Sequence, residues 1–244
     1  MTYCVAVRLD SGVLFCSDSR TNAGVDHIAT FSKMKVFERK DDRVLVLLSS
    51  GNLSVTQSVF NILEKQKNAE PGEPTIWTVS SLFDAAQLVG EAVREVQRRD
   101  GPYLVQGSIE SGTSLLLGGQ IRGEDQRLFH IYPQGNFIEA TYDTIYFQLG
   151  ESKYGKPVLD RVVTAGTSPA DAAKCVLVSF DSTIRSNISV GLPIDMLWYP
   201  RDALRVGLQK RIEDGDPYFS MLRKGWGGGL RRVFAELPNP DWMA

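Results

Sequence analysis

The chain begins MTYCVAVRLDSGVLFCSDSRTNAG (residues 1–24), and this opening decides how the rest of the sequence is interpreted. Residues 3–9 and 13–17 are two apolar runs rich in β-forming side chains. Between them lies Asp10-Ser11-Gly12, a sequence suited to a tight turn. The pattern predicts a β-hairpin, with Asp18 at the far end of its second strand.

Thr2 stands directly before the first apolar run and has two possible roles. It is either an ordinary strand residue or, once Met1 is removed, a nucleophile at the free amino terminus. A hydroxyl attacks only when a base takes its proton, and an α-amino group with a pKa of about 8 serves as that base. A nearby lysine ammonium lowers the pKa of the amine, and a carboxylate holds the lysine in place. Asp18 is placed for the carboxylate role, because the hairpin brings it beside the start of the first strand.

The order of elements beyond the hairpin favours an α+β fold. Groups of strands alternate with pairs of helices, which indicates a four-layer helix–sheet–sheet–helix (αββα) sandwich rather than βαβ units. We expect a single domain over 1–244, with a C-terminal extension from about residue 205 and a flexible segment in GWGGGLRR (225–232). Ser80 or Ser81 is the expected N-cap of the second helix. The predicted strands are 30–38, 41–51, 114–121, 127–133, 136–140, 145–150 and 195–200, and the predicted helices are 52–66, 78–99, 154–165 and 168–184.

Composition narrows the classes of partner and compartment. A net charge of −2 argues against nucleic acid or an anionic membrane surface as a partner. Arg8 and Asp10 interrupt the first apolar run, so we expect no signal peptide, and no run approaches the roughly 18 apolar residues of a membrane span. The three cysteines (Cys4, Cys16 and Cys175) show no metal-binding spacing and are expected to be reduced, as in a cytoplasmic protein. We expect no cofactor and no metal, since the sequence contains no phosphate-binding loop, dinucleotide fingerprint or ligand cluster.

The scarcity of histidine limits the catalytic devices that the chain can carry. His130 alternates with apolar residues in a strand, which indicates a structural role, and His27 lies in a loop. A serine–histidine–acid triad therefore has few options, and a cysteine hydrolase based on Cys4 has no histidine near it in sequence. Threonine, aspartate and lysine remain as the candidate chemistry.

These features together resemble the proteasome β-subunit family. They are Thr2 behind the initiator methionine, SDSRTNAG (17–24) after the first hairpin, a lysine in the next strand, and LLSSGN (47–52) at the start of a helix. Within the family, the bacterial Anbu (ancestral β-subunit) branch is the most similar. The resemblance extends to about residue 200 and implies the αββα sandwich of amino-terminal-nucleophile hydrolases.

The resemblance implies roles for three residues. Thr2 matches the nucleophile, which also provides the general base through its α-amine, and Asp18 matches the aspartate that orients the catalytic lysine. When the family's spacing is extended along this sequence without gaps, the position of the catalytic lysine falls on Met34, between Lys33 and Lys35. A continuous strand would place these two lysines on one face. Lys33 fits the family's lysine–apolar–x–x–apolar pattern better, so it is the first choice and Lys35 the alternative.

The family places a backbone N–H that stabilises an oxyanion at the turn from strand to helix. Ser50 holds that position in Ser49-Ser50-Gly51, with Gly51 as the second candidate in the same turn. A helix cap in this Ser/Gly/Asn sequence is compatible with the same role.

Two segments differ from the family pattern. The family's Gly-Ser-Gly before the third helix reads Gly150-Glu151-Ser152, so Ser152 is a secondary candidate. In the family's Asp-x-x-Ser-Gly motif, Ser189 matches the serine near the threonine amine, whereas Ser186 replaces the aspartate. The loss of that anion alters the charge around the amine.

The resemblance implies a threonine-dependent peptidase that assembles from copies of itself into a closed ring or an open spiral. A narrow amidase would use the same residues on another amide. A catalytically silent scaffold is the competing class. The family's silent α-type subunits carry an N-terminal extension, whereas here only Met1 precedes Thr2. Expected subunit contacts are the apolar helix faces and the tail residues Trp226, Arg231, Arg232 and Trp242.

Overall fold

A computed structural model describes residues 2–22, 28–65 and 72–243. Two five-stranded antiparallel sheets form the centre of the molecule. The first sheet has the order β10-β1-β2-β11-β12. Its strands are β1 (Tyr3–Leu9), β2 (Gly12–Asp18), β10 (Tyr146–Gly150), β11 (Ile194–Pro200) and β12 (Leu208–Ile212).

The second sheet has the order β5-β6-β7-β8-β9, and a separate short pair is formed by β3 and β4. These strands are β3 (Arg20–Asn22), β4 (Ile28–Thr30), β5 (Met34–Arg39), β6 (Arg43–Gly51), β7 (Thr113–Ile121), β8 (Arg127–Ile131) and β9 (Phe137–Glu139). The helices are α1 (Leu53–Lys65), α2 (Leu82–Gln106), α3 (Ser152–Val162), α4 (Pro169–Ser186) and α5 (Pro217–Glu236), and a short 3₁₀ helix (Asp241–Met243) follows.

Three apolar layers hold these elements together, and β1 shows how the sequence produces them. Tyr3, Val5 and Val7 point toward α3 and α4, whereas Cys4 and Ala6 point between the two sheets. This alternation follows from the two-residue period of a strand, and both faces are buried because the strand lies in the middle of a sandwich. The third layer packs α1 and α2 on the second sheet. The predicted α+β, αββα architecture is therefore confirmed.

The second helix differs from its predicted bounds. Its N-cap is Ser81, whose hydroxyl accepts the Asp84 N–H, so α2 begins at Leu82 rather than at 78. Residues 75–78 form a turn instead, in which the Thr75 carbonyl accepts the N–H of Thr78. The C-terminal end of α2 lies at Gln106, well beyond the predicted residue 99.

The predicted flexible segment 225–232 is wrong, because it lies inside α5. Asp216 caps this helix by accepting the Phe219 N–H, and Phe219 and Leu222 are buried. This packing outweighs the poor helix propensity of glycine, about 1 kcal/mol per residue. Strand β12 was not predicted, because four of its five residues are exposed and only Ile212 is buried.

Among the residues described, no helix has the length and hydrophobicity that a membrane span requires. All three cysteines are buried free thiols.

Candidate active site

Thr2 lies at the start of β1, where the first sheet meets the beginning of α3. Only 6% of the residue is exposed. Its carbonyl accepts a hydrogen bond from the Glu151 N–H at 2.8 Å, and the next residue, Tyr3, pairs with Gly150 of β10. Met1 lies outside the described residues, as does His27.

Asp18 and Lys33 form a buried ion pair beside this strand end. Asp18 is the last residue of β2 and is fully buried. Its Oδ1 accepts from the Lys33 Nζ at 2.7 Å and from the Tyr3 N–H at 3.0 Å. The Lys33 Nζ also donates to the Arg20 carbonyl at 2.7 Å. One carboxylate oxygen thus joins the lysine to the residue that follows Thr2.

The electrostatics of the pair depend on burial. Burial raises the pKa of Asp18, while the charge of Lys33 and hydrogen bonds from Lys33, Tyr3 and Gly191 oppose the rise. The Lys33 side chain is only 7% exposed. Since water screens the pair poorly, each charge depends strongly on the other.

Lys35 lies elsewhere, and the predicted shared face with Lys33 is wrong. Strand β5 begins at Met34, so Lys33 precedes the strand and does not follow its two-residue alternation. Lys35 forms an ion pair with Glu64 of α1, in which both side chains are partly exposed. Of the two lysines, only Lys33 contacts Asp18.

In the turn after β6, the backbone N–H groups of Ser50 and Gly51 point in different directions. The Ser50 carbonyl accepts from the Thr113 Oγ1 at 3.0 Å and therefore points toward β7. In a planar trans peptide the following N–H points the opposite way, so the Gly51 N–H faces away from β7. The Ser49 N–H also points away from β7, because it donates to the Lys33 carbonyl at 3.0 Å. The N–H on the Lys33 side of the turn is thus that of Gly51 rather than that of Ser50.

Gly150-Glu151-Ser152 contacts Thr2 through its backbone. Gly150 has a φ of +75°, and a Cβ there would lie 1.8 Å from the Thr2 carbonyl oxygen, so only glycine fits. Ser152 begins α3, and its carbonyl accepts from the Gln148 Nε2 at 3.3 Å. The contacts with Thr2 therefore come from Gly150 and Glu151, with Ser152 one residue further.

The two other candidate serines lie around the end of α4. Ser186 is the last residue of that helix and is exposed. Ser189 is half-buried, and its N–H donates to the Asn187 Oδ1 at 2.9 Å. The loop that contains Ser189 is held beside Arg20, because the Ile188 carbonyl accepts from the Arg20 Nη1 at 2.9 Å, and the Arg20 carbonyl accepts from Lys33. Ser189 is thus near the ion pair in the fold, whereas Ser186 faces solvent.

The sequence did not predict the polar residues that hold the side chain of Tyr3, the residue after Thr2. The Tyr3 hydroxyl donates to the Ser179 Oγ at 3.1 Å and accepts from the Gln148 Nε2 at 2.7 Å. Gln148 therefore links Tyr3 to the start of α3. A buried tyrosine hydroxyl needs a partner, but nothing in the sequence indicates which residues provide it.

His130 lies in β8, with its ring 4.5 Å from that of Tyr132 and 5.6 Å from that of Phe147. Burial lowers the pKa of His130. Within the described ranges, no cluster of three or more His, Cys, Asp or Glu side chains is arranged to hold a metal ion.

No protein-family model matches the chain, and no curated protein matches it either. Solved structures do. Anbu (ancestral β-subunit) from Yersinia bercovieri is 54% identical, with 98% of each chain covered and a TM-score of 0.92. The helical assembly of the Anbu complex from Pseudomonas aeruginosa is 49% identical, again with 98% of each chain covered and a TM-score of 0.92.

Anbu from Hyphomicrobium sp. strain MC1 is 47% identical over 98% of this chain and 99% of that one, with a TM-score of 0.90. Identity at this level over nearly the whole length goes beyond a shared fold. The chain therefore belongs to the Anbu (ancestral β-subunit) family and has its proteasome-type fold.

Proposed function

We propose that the protein is an amino-terminal threonine hydrolase that cleaves amide bonds, with Thr2 exposed by removal of Met1. The observation that carries the proposal is the buried Asp18–Lys33 pair, whose carboxylate also binds the Tyr3 N–H. A fully buried carboxylate is costly to retain for stability alone, which favours a functional reason for the pair.

In the first half of the reaction, the Thr2 Oγ attacks the carbonyl carbon of the amide while the α-amine takes the hydroxyl proton. The Lys33 ammonium favours the neutral amine by like-charge repulsion, and Asp18 holds the lysine in position. The amine then returns its proton to the leaving nitrogen, the C–N bond breaks, and an ester on Thr2 remains. Water hydrolyses the ester with the amine again as base, which regenerates Thr2.

We assign the oxyanion donor to the Gly51 N–H. The direction of the Ser50 carbonyl supports this choice, because it places the Gly51 N–H on the same side of the turn as Lys33. A fixed backbone donor stabilises the negative charge that develops on the substrate oxygen in the transition state. In this assignment Ser50 contributes to the geometry of the turn and does not stabilise the oxyanion.

Replacing Gly51 by Ala tests this assignment. Gly51 has a φ of +112°, and a Cβ would lie 2.2 Å from the Gly112 carbonyl oxygen, so the turn must move. We expect the stability to fall by about 1–3 kcal/mol and kcat to fall by about 10²–10³. Ser50→Ala is the matched control and should change both values little. A normal kcat in a folded Gly51→Ala variant would exclude this N–H as the donor.

A peptide is the proposed substrate, by similarity to proteasome-type proteases, and a narrow amidase would use the same site. We also propose that copies of the chain assemble, as reported for the Pseudomonas aeruginosa Anbu complex, whose assembly is helical. Leu230, Val233 and Leu237 continue the apolar stripe of α5 beyond its buried half and are all more than half exposed, which fits subunit contact. Three buried free thiols fit the reducing cytoplasm.

We also propose that the chain is one proteasome-type domain with a C-terminal extension from about residue 205. In that extension, β12 pairs with β11, and α5 packs on the core of the first sheet.

The decisive test of the proposed function is the mass of the intact protein before and after treatment with a β-lactone electrophile. We expect the mass of a chain that begins at Thr2, and one adduct that peptide mapping places on Thr2. Retained Met1, or a trimmed chain without an adduct, would assign the protein to the scaffold class instead.

A further inference from the structure

A cleft on the outside of the molecule lies between the end of α4 and the first fifteen residues of α5 (217–231). Its volume is about 340 Å³. It includes part of the glycine-rich stretch 225–232, which the proposed hydrolase does not use. Its lining residues are Arg185, Ser220, Arg223, Lys224, Gly227 and Arg231.

The cleft carries a strong local excess of positive charge. Four of its six lining residues are arginine or lysine. Asp181 balances one of them, Arg223. In the described part of the chain, no carboxylate lies within ion-pair distance of Arg185, Lys224 or Arg231. Three unbalanced cations in one cleft repel each other, in a chain whose net charge is −2. An anion in the cleft would relieve this repulsion.

Arg223 is fixed in advance for such a ligand. Its Nε donates to the Asp181 Oδ1 at 2.7 Å, and Asp181 is only 2% exposed. The guanidinium carbon also lies 5.6 Å from the centre of the Phe219 ring. The side chain is nevertheless 38% exposed. The remaining nitrogens of the guanidinium are thus held in place toward the cleft, which lowers the entropy cost of binding.

Gly227 keeps this part of the helix surface open. A Cβ at this position would lie 3.8 Å from the Arg231 Nη1, within the space that the cations surround. A glycine in the interior of a helix costs about 1 kcal/mol relative to alanine. Gly227, one of four glycines in this helix, adds no side chain to the cleft.

We propose that this cleft binds a short chain of linked phosphates, either free inorganic polyphosphate or the triphosphate tail of a nucleotide. Planar guanidinium groups match phosphate oxygens with paired hydrogen bonds, and the Ser220 hydroxyl adds a neutral donor. The cleft is small enough for such a chain and too small for a folded partner. The proposal does not depend on the hydrolase reaction, because none of the lining residues belongs to the Thr2 site.

Isothermal titration of the full-length protein with tripolyphosphate tests the proposal. We expect saturable binding that weakens as salt rises, and an affinity at least about tenfold lower in the double variant Arg185→Ala/Lys224→Ala. The control Arg98→Ala/Arg205→Ala removes the same charge from exposed positions outside the cleft and should change the affinity less than about twofold. Thermal unfolding and size-exclusion profiles of both variants must match those of the parent before the affinities are compared.

Parallel titrations identify the source of the phosphate chain. Equal affinity for ATP and tripolyphosphate would show that the triphosphate tail is sufficient, and tighter binding of tripolyphosphate would indicate the free chain. Three results would overturn the proposal: no saturable binding of tripolyphosphate, equal binding of sulfate at matched ionic strength, or an equal loss of affinity in the control variant.

Discussion

Replacing Thr2 by Ala is expected to lower kcat/KM for a peptide or amide reporter by at least about a thousandfold. The side chain is the proposed attacking group, so its removal leaves the α-amine with no threonine hydroxyl to activate. Cys4 is the nearest thiol in sequence, but it is fully buried, and burial raises its pKa far above the usual range. A neutral buried thiol does not attack a carbonyl.

Thr2→Ser is the matched control, because it keeps the hydroxyl and the α-amine and removes only a methyl group. It should retain measurable turnover and still form the β-lactone adduct. Both variants must first be shown by mass to have lost Met1, so that the comparison concerns the hydroxyl alone. If Thr2→Ala kept more than about a tenth of the parent activity, the attacking group would have to lie elsewhere.

The opening hairpin explains why so much of the site could be predicted from the sequence. Alternating apolar residues fix β1 and β2, and their antiparallel register places Asp18 beside the beginning of β1. The resemblance then identified Lys33 as the partner of Asp18, and the structure brings the two side chains into contact. Local pattern and pairing geometry placed Asp18, whereas Lys33 came from the resemblance.

The direction of a single peptide group is not encoded in the same way. Ser50 and Gly51 are both suited to a turn, and only the hydrogen bond from Thr113, more than sixty residues later, shows which N–H faces Lys33. The predicted common face of Lys33 and Lys35 failed for a related reason, because the sequence does not show that β5 begins only at Met34. Both features depend on contacts with distant strands.

The C-terminal part shows a different limit. In 225–232 the glycines argue for a flexible segment, yet tertiary packing of Phe219 and Leu222 holds the helix. The cleft beside it becomes visible only when Arg185 of α4 is brought next to α5. A cluster of charges from two helices has no signature in the linear sequence.

Replacing Lys33 by Met is expected to damage both the fold and the site. It leaves the fully buried carboxylate of Asp18 without its cation, which costs about 3–5 kcal/mol of unfolding free energy. Activity should fall by about 10²–10⁴, because the α-amine loses the neighbouring charge that favours its neutral form. Chemical denaturation and reporter kinetics on the same preparation measure both losses.

Two variants separate the burial of charge from the loss of a side chain. Lys33→Met/Asp18→Asn removes both charges and should recover much of the lost stability without recovering activity. Lys35→Met removes a lysine of similar sequence position whose ion pair with Glu64 is partly exposed, so it should cost less than about 1 kcal/mol. Equal losses of stability in Lys33→Met and Lys35→Met would contradict the buried pair.

The stability of Lys33→Met should also depend on pH in a defined direction. Burial raises the pKa of Asp18, and the largest opposing influence is the charge of Lys33, so its removal raises the folded-state pKa further. A carboxyl group whose pKa is higher in the folded than in the unfolded state stabilises the fold below the unfolded value, near 3.8. That contribution is lost as pH rises through the folded-state pKa. The deficit of Lys33→Met relative to the parent should therefore be smaller at about pH 4.5 than at about pH 7.5, and a deficit independent of pH would mean that Asp18 is not the uncompensated charge.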